Sequence, residues 1–186
     1  GAGRLLSEDY SPCRLTHADY SVPNAATRTG IEVLYHYDSA PPEALPPTIN
    51  LASAFLKGRL VATYDRASLT VTEYDGRGRT PKSAVRIAKP GTPDNALAGR
   101  FTDRWYVRAT VFDGADRELA ATTGATVAEL QGTVTDPFGT SVVRTAYTAR
   151  GTVKHVKGSY GDLVTKVERT ADGLLQRVEY GDGAKT

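Results

Sequence analysis

The sequence predicts an all-β protein: repeated antiparallel hairpins that form a curved sheet. Three observations carry this. Five segments read as an aromatic residue, a polar or acidic residue and a turn: Tyr37-Asp38, Tyr74-Asp75-Gly76-Arg77-Gly78-Arg79, Phe112-Asp113-Gly114-Ala115-Asp116-Arg117, Tyr147-Thr148-Ala149-Arg150-Gly151 and Tyr180-Gly181-Asp182-Gly183. Their aromatics recur at intervals of 33 to 38 residues, and a steady period in that range marks a repeat architecture. Between them, short runs of β-branched and aromatic residues alternate with Gly, Asp and Pro clusters, the pattern of short strands joined by tight turns. Helical periodicity is nearly absent; Ile49 to Leu56 is the single short candidate.

Residues 1–30 lack the repeat pattern and read as an irregular N-terminal segment, with Pro12 and Pro23 following Asp9-Tyr10-Ser11 and Asp19-Tyr20-Ser21. Residues 31–186 form the repeat region. Ile31 to Tyr37 alternates well enough for a strand. Pro41, Pro42, Pro46 and Pro47 then force a surface loop, because proline offers no ladder donor. Leu60 to Tyr64 and Leu69 to Tyr74 are the next strands; Leu69, Val71 and Glu73 share one face of the second. Asp75 and Gly78 suit the turn that follows: Asp bonds the backbone two residues on, and Gly accepts positive φ. Val85 to Ala88 returns. A Pro/Gly loop over 89–98 leads to Trp105 to Phe112, which has the strongest β-propensity. Further strands are predicted near 116–122, 126–134, 141–147, 151–157, 163–169 and 174–180, with strand exceeding half of residues 55–183.

Composition excludes several function classes. The 186 residues carry 23 Lys and Arg against 21 Asp and Glu, a net charge of +2 without a run of five like charges, which predicts no nucleic-acid partner. No apolar stretch of membrane-spanning length occurs, so no membrane span is expected. A single cysteine, Cys13, rules out an internal disulfide framework. The chain opens Gly1-Ala2-Gly3, contains no Met and stops inside a predicted hairpin, so it reads as a piece of something longer, truncated at both ends.

Candidate chemical sites are weak. Cys13, His17 and Asp19 have a zinc-like spacing on a helix, but no second cluster accompanies them and the flanking prolines disfavour a helix. His36 and His155 lie on predicted strands with no nucleophile elbow nearby. Asp75, Asp113, Asp116, Asp136, Asp172 and Asp182 all fall in turns, and turn formation accounts for them without a glycosidase pair. Asp136-Pro137-Phe138-Gly139 reads as one more turn. Gly76-Arg77-Gly78-Arg79 is not followed by a helix that could hold a phosphate. No catalytic residue, no metal site and no cofactor is expected.

These residues together resemble the Rhs family and its YD repeats. The best copy is Val71-Thr72-Glu73-Tyr74-Asp75-Gly76-Arg77-Gly78-Arg79; Lys57-Gly58-Arg59-Leu60-Val61 resembles the opening of a repeat. Val33 to Asp38 and Val107 to Asp113 are partial copies, and the segments at 134–139 and 147–151 are degenerate. The resemblance covers about residues 31–186. It implies a strand-rich ribbon wound into a hollow shell around a C-terminal toxin domain, as in bacterial polymorphic toxins, insecticidal toxin complexes and teneurins, and a secreted or cell-surface setting. An Asp-Pro-x-Gly element like that at 136–139 stands near a self-cleavage site in some members; the surrounding signature is missing here.

The structural residues of the repeat are then Tyr37, Asp38, Tyr74, Asp75, Gly78, Arg79, Phe112, Asp113, Arg117, Tyr147, Gly151 and Tyr180. The aromatic supplies apolar area, the aspartate sets the turn, and the arginine can cover the neighbouring ring or pair with its aspartate. Expected partners are the neighbouring repeats or an enclosed toxin domain, with self-association possible through an exposed strand at 174–180. The alternative is a glycan-binding, adhesin-like β module using the same aromatics.

Overall fold

The computed structural model describes residues 3–8, 31–91, 97, 99–131 and 139–185. It is all-β. Eleven strands follow one another in chain order in one open antiparallel sheet: β1 (Ser7–Glu8), β2 (Val33–Tyr37), β3 (Leu60–Tyr64), β4 (Ser68–Glu73), β5 (Lys82–Ile87), β6 (Tyr106–Phe112), β7 (Glu118–Thr122), β8 (Val142–Tyr147), β9 (Val153–Gly158), β10 (Gly161–Arg169) and β11 (Leu175–Tyr180). The chain divides into two compact units, Gly1–Val107 and Arg108–Thr186.

The first unit holds a layered core. β3, β4 and β5 pair in register, Ala62 opposite Val71 and Val71 opposite Ala84. Side chains alternate between faces along a strand, so Ala62, Tyr64, Leu69, Val71 and Ala84 gather on one side. Ile31, Ile49, Leu97 and Phe101 from the connecting segments close over them, with Leu45, Leu51, Trp105 and Val107 at the margin. The loops therefore act as the second layer that a single sheet lacks. Tyr64 is fully buried and its hydroxyl donates to Glu43. Glu32, 3% exposed, is paired with Arg66, which satisfies a carboxylate that would otherwise be costly to bury.

The second unit is thinner. Among the described residues its buried side chains are Ala109, Ala120, Thr122, Ser141 and Val142, where β6, β7 and β8 pair and Ser141 exchanges backbone bonds with Thr123 and Ala125. Ser159 joins Leu130 and Ser141: its hydroxyl donates to the Leu130 carbonyl at 2.6 Å and lies 3.2 Å from the Ser141 hydroxyl. β10 and β11 contain no buried residue.

Several expectations need correction. The stretch Ile49 to Leu56 forms only a 3-10 turn at Ser53–Phe55. A strand was predicted over 126–134; instead Ala128–Gln131 is one turn of helix, α1, because Val127 and Leu130 have no strand partner among the described residues. Strand falls just short of half of the described part of 55–183. Cys13, His17, Asp19 and the residues Asp136, Pro137 and Phe138 lie outside the described residues.

Candidate functional site

The recurrent feature of this protein is one hairpin loop, used again and again. Take its first residue in turn as Asp75, Asp113, Thr148, Thr170 and Tyr180. Each time the N–H of that residue donates to the carbonyl four residues on, at 2.8 to 3.1 Å, and the N–H three residues on donates back to its carbonyl, at 2.9 to 3.2 Å. The residue three on has positive φ: Gly78 at 87°, Asp116 at 63°, Gly151 at 81°, Gly173 at 90° and Gly183 at 87°. This is the three-residue hairpin in which a tight turn ends in a left-handed residue, a conformation glycine adopts without penalty.

In the two best copies the aspartate carboxylate completes the loop. One oxygen of Asp75 accepts from the N–H groups of Arg77 (2.9 Å) and Arg79 (3.0 Å), and the other from Arg79 Nε (2.7 Å). Asp113 repeats this with Ala115 (2.8 Å), Arg117 N–H (2.9 Å) and Arg117 Nε (2.7 Å). Partial burial pushes the Asp75 carboxyl up, but the Arg79 side chain and the two N–H donors outweigh it and hold the group below its ordinary range. For Asp113 the Arg117 N–H is the largest influence, followed by the Arg117 side chain, and the carboxyl is again held low. Asp38 is the same device around a long insertion. Its N–H donates to Arg59 at 3.2 Å and its carboxylate accepts from the Gly58 N–H at 2.6 Å. Arg4 also binds it, first among the influences that lower its pKa to about 2.

Two of the arginines that close these loops, Arg59 and Arg117, reach one hairpin further. Arg59 lies over the Tyr74 ring at 4.9 Å, and the Tyr74 hydroxyl donates to the Leu60 carbonyl at 2.7 Å. Arg117 lies over the Tyr147 ring at 4.8 Å, and the Tyr147 hydroxyl donates to the Glu118 carbonyl at 2.8 Å. The correspondence is residue for residue: the ring binds the carbonyl just after the arginine that covers it. The same guanidinium rests on the loop glycine. A Cβ on Gly78 would come within 2.7 Å of Arg59, and one on Gly151 within 3.1 Å of Arg117. Arg4 over Tyr37 at 4.6 Å begins the series. The Arg59 and Arg117 rungs each join a cation–π contact, a tyrosine hydroxyl bond to backbone and a close glycine approach.

The structure places most of the sequence-derived motif residues in these loops and rungs, and four points differ from the sequence reading. Tyr180 does not stand where Tyr74 stands; it is the first residue of its loop, the place of Asp75, and is 38% exposed. Arg150 is inside its loop, and the place of Arg79 is taken by Thr152, whose N–H and hydroxyl meet Thr148. The loop at Thr170 belongs to the set although no aromatic precedes it. Ala171-Asp172-Gly173 reads as a turn in the sequence, and its backbone bonds with Gly173 place it in the set. Arg59 carries the ring-covering role but was read as the opening of a repeat.

Among the described residues no group of three or more His, Cys, Asp and Glu is placed to hold a metal ion. His36 contacts Ser39 and the Ala40 carbonyl. His155 lies 3.3 Å from Asp162, which also meets Lys157 at 4.0 Å, an open ion cluster on the surface.

An open antiparallel sheet of repeated hairpins, stitched by arginine, tyrosine and aspartate, is the class these features define. Solved structures of the same fold exist. The crystal structure of TcdB2-TccC3 is similar over 84% of this chain and 7% of that chain, with a TM-score of 0.61 and 16% sequence identity. The same complex without its hypervariable C-terminal region gives the same values. The Photorhabdus luminescens Tc holotoxin pore is similar over 82% of this chain and 7% of that chain, with a TM-score of 0.58 and 15% identity. The likeness is one of fold, and this chain corresponds to a small part of those toxin-complex chains. No family model and no curated protein matches the sequence. No helix among the described residues is long and apolar enough to cross a membrane.

Proposed function

We propose that this chain is a stretch of wall from an Rhs-type, YD-repeat shell that encloses a toxin or other cargo domain, and that it is a scaffold with no catalysis of its own. The observation that carries the reading is the rung: the same arginine, ring and glycine contact recurs at Arg59, Tyr74 and Gly78 and at Arg117, Tyr147 and Gly151. A contact that recurs from hairpin to hairpin is what extends a sheet indefinitely, since one hairpin alone is marginal. The fold likeness to TcdB2-TccC3 supports it. Its partners are then neighbouring repeats or an enclosed C-terminal domain of the same parent chain, and its setting is secreted or cell-surface. Asp75 and Asp113 are occupied with backbone N–H groups and arginine, as turn formation requires.

The adhesin alternative needs open aromatic faces for sugar. The motif rings Tyr37, Tyr74 and Tyr147 are instead half-buried beneath arginine. The test is made in the parent chain. Arg59→Ala combined with Arg117→Ala should render the domain it encloses sensitive to protease while that domain, expressed alone, keeps its activity. Unchanged protease protection of the cargo, or saturable glycan binding that Tyr74→Ala abolishes, would overturn the shell reading.

A further inference from the structure

We infer that one edge of β2 is a strand-binding site that reads an arginine and, four residues on, a glutamate, and that residues 4–8 of this chain are the ligand seated in it. The receptor half is complete without that ligand. On its other side β2 pairs with β3 from Leu34 to Tyr37. Asp38 then enters a loop whose backbone is closed from Gly58 and Arg59. The Asp38 N–H donates to the Arg59 carbonyl at 3.2 Å, and the Gly58 N–H donates to the Asp38 carboxylate at 2.6 Å. A tyrosine ring at 37, a carboxylate fixed at 38 and a second tyrosine at 35 therefore stand ready along one strand.

Residues 4–8 engage each of these. Arg4 donates from both terminal nitrogens to the two oxygens of Asp38, the first at 3.0 Å, and lies over the Tyr37 ring at 4.6 Å. A forked and stacked contact suits a guanidinium and not an ammonium. At the other end the Tyr35 hydroxyl donates to the Glu8 carboxylate at 2.6 Å. Between them the main chain adds to the sheet. The Tyr35 N–H donates to the Leu6 carbonyl and the Glu32 N–H to the Glu8 carbonyl, both at 2.9 Å, with Ser7 opposite Leu34 and Glu8 opposite Val33. This is recognition by strand addition, in which main-chain bonds give affinity and alternate side chains give specificity. Residues four apart share a face of a strand and stand about 13 Å apart, so the spacing selects an extended peptide. Arg4 also differs from Arg59 and Arg117, which each close a loop and are placed by it. Arg4 closes none of these loops, and β1 pairs over two residues where β4 and β5 pair over six. Its guanidinium is positioned by what it binds.

The test uses the whole chain and a synthetic, end-blocked peptide of residues 1–9. In the chain carrying Arg4→Ala with Glu8→Ala, the resident segment loses both recognised side chains and the site is open to a competitor. The peptide should bind this variant saturably and at least about tenfold more tightly than it binds the unaltered chain, where the tethered segment competes at an effective concentration of the order of millimolar. In an amide-resolved NMR titration the shifts should fall on Val33 to Asp38. The Arg4→Lys peptide should bind about tenfold more weakly. Adding Tyr35→Phe to the double variant keeps the ring and removes the hydroxyl donor. It should cost the unaltered peptide about fivefold and leave binding of the Glu8→Ala peptide unchanged. No saturable binding to the double variant, shifts that avoid β2, equal binding of the Arg4→Lys peptide, or an equal loss of both peptides on Tyr35→Phe would overturn the inference. So would a double variant that no longer folds, because residues 4–8 would then be part of the scaffold and not its ligand.

Discussion

Arg117 and Tyr147 offer the sharpest test of what the rung contributes. Arg117 makes two contacts at once, the ion pair with Asp113 at 2.7 Å and the stack over Tyr147 at 4.8 Å. A single variant therefore cannot be read on its own, and a double-mutant cycle is required. Arg117→Ala, Tyr147→Leu and the double variant isolate the stack. A guanidinium over a tyrosine at a partly exposed site is worth about 0.5–1 kcal/mol. Tyr147 also donates to the Glu118 carbonyl, a bond worth about 1 kcal/mol that Tyr147→Phe removes without disturbing the ring. In a chain of this size, each 1 kcal/mol moves the thermal midpoint by about 2–4 °C. Urea titration followed by far-ultraviolet circular dichroism should then give a coupling of about 0.5–1 kcal/mol between the two positions. Arg117→Lys should retain less than half of it, because an ammonium lacks the planar face that stacks. A coupling within about 0.3 kcal/mol of zero would refute the rung as a source of stability and leave the stack as a by-product of packing.

Three further outcomes are expected. Gly181→Ala should abolish pairing of β10 with β11, since its Cβ would stand 1.7 Å from the Asp162 carbonyl oxygen; a two-dimensional amide spectrum with unmoved β10 and β11 resonances would contradict this. Thr148→Asp should raise the thermal midpoint by about 2–4 °C, since a carboxylate there can accept from the loop N–H groups as Asp113 does, a capping gain of about 1 kcal/mol; a fall in midpoint would count against the equivalence of the loops. Stability should also fall with acid. The carboxyls of Asp38, Asp75 and Asp113 are all held below their ordinary range, so what they contribute is present above the ordinary aspartate pKa and is lost as pH drops through the lowered values, which for Asp38 means down to about 2. Asp75→Asn together with Asp113→Asn should flatten the acid limb of the urea midpoint against pH, and an unchanged slope would refute the assignment.

Much of this protein is legible in its sequence because a hairpin is a local object. Asp75, Gly78 and Arg79 fix their turn through bonds that span no more than four residues, so the pattern announces the loop wherever it occurs. The strand at β4 is equally plain, since Leu69 and Val71 alternate with threonines and only one register buries them. The sequence failed where residues with weak local preference wait for a partner. The stretch 126–131 is apolar enough for a strand, but it became a helical turn. Tyr180 looks like Tyr74 when residues are counted from the aromatic, yet the hydrogen bonds count from the first residue of the loop and place it one step away.

All-β class, hairpin spacing and turn chemistry were thus determined by the sequence alone, because each depends on neighbours a few residues off. Tertiary structure decided the rest. Arg59 finds the Tyr74 ring and Gly78 from across two strands, and Arg117 finds Tyr147 and Gly151 in the same way. Which loop segments close the core above Tyr64 and Val71, and how little covers β10 and β11, were settled there too. These contacts join residues far apart in the chain, and their energy exists only once the strands between them have paired.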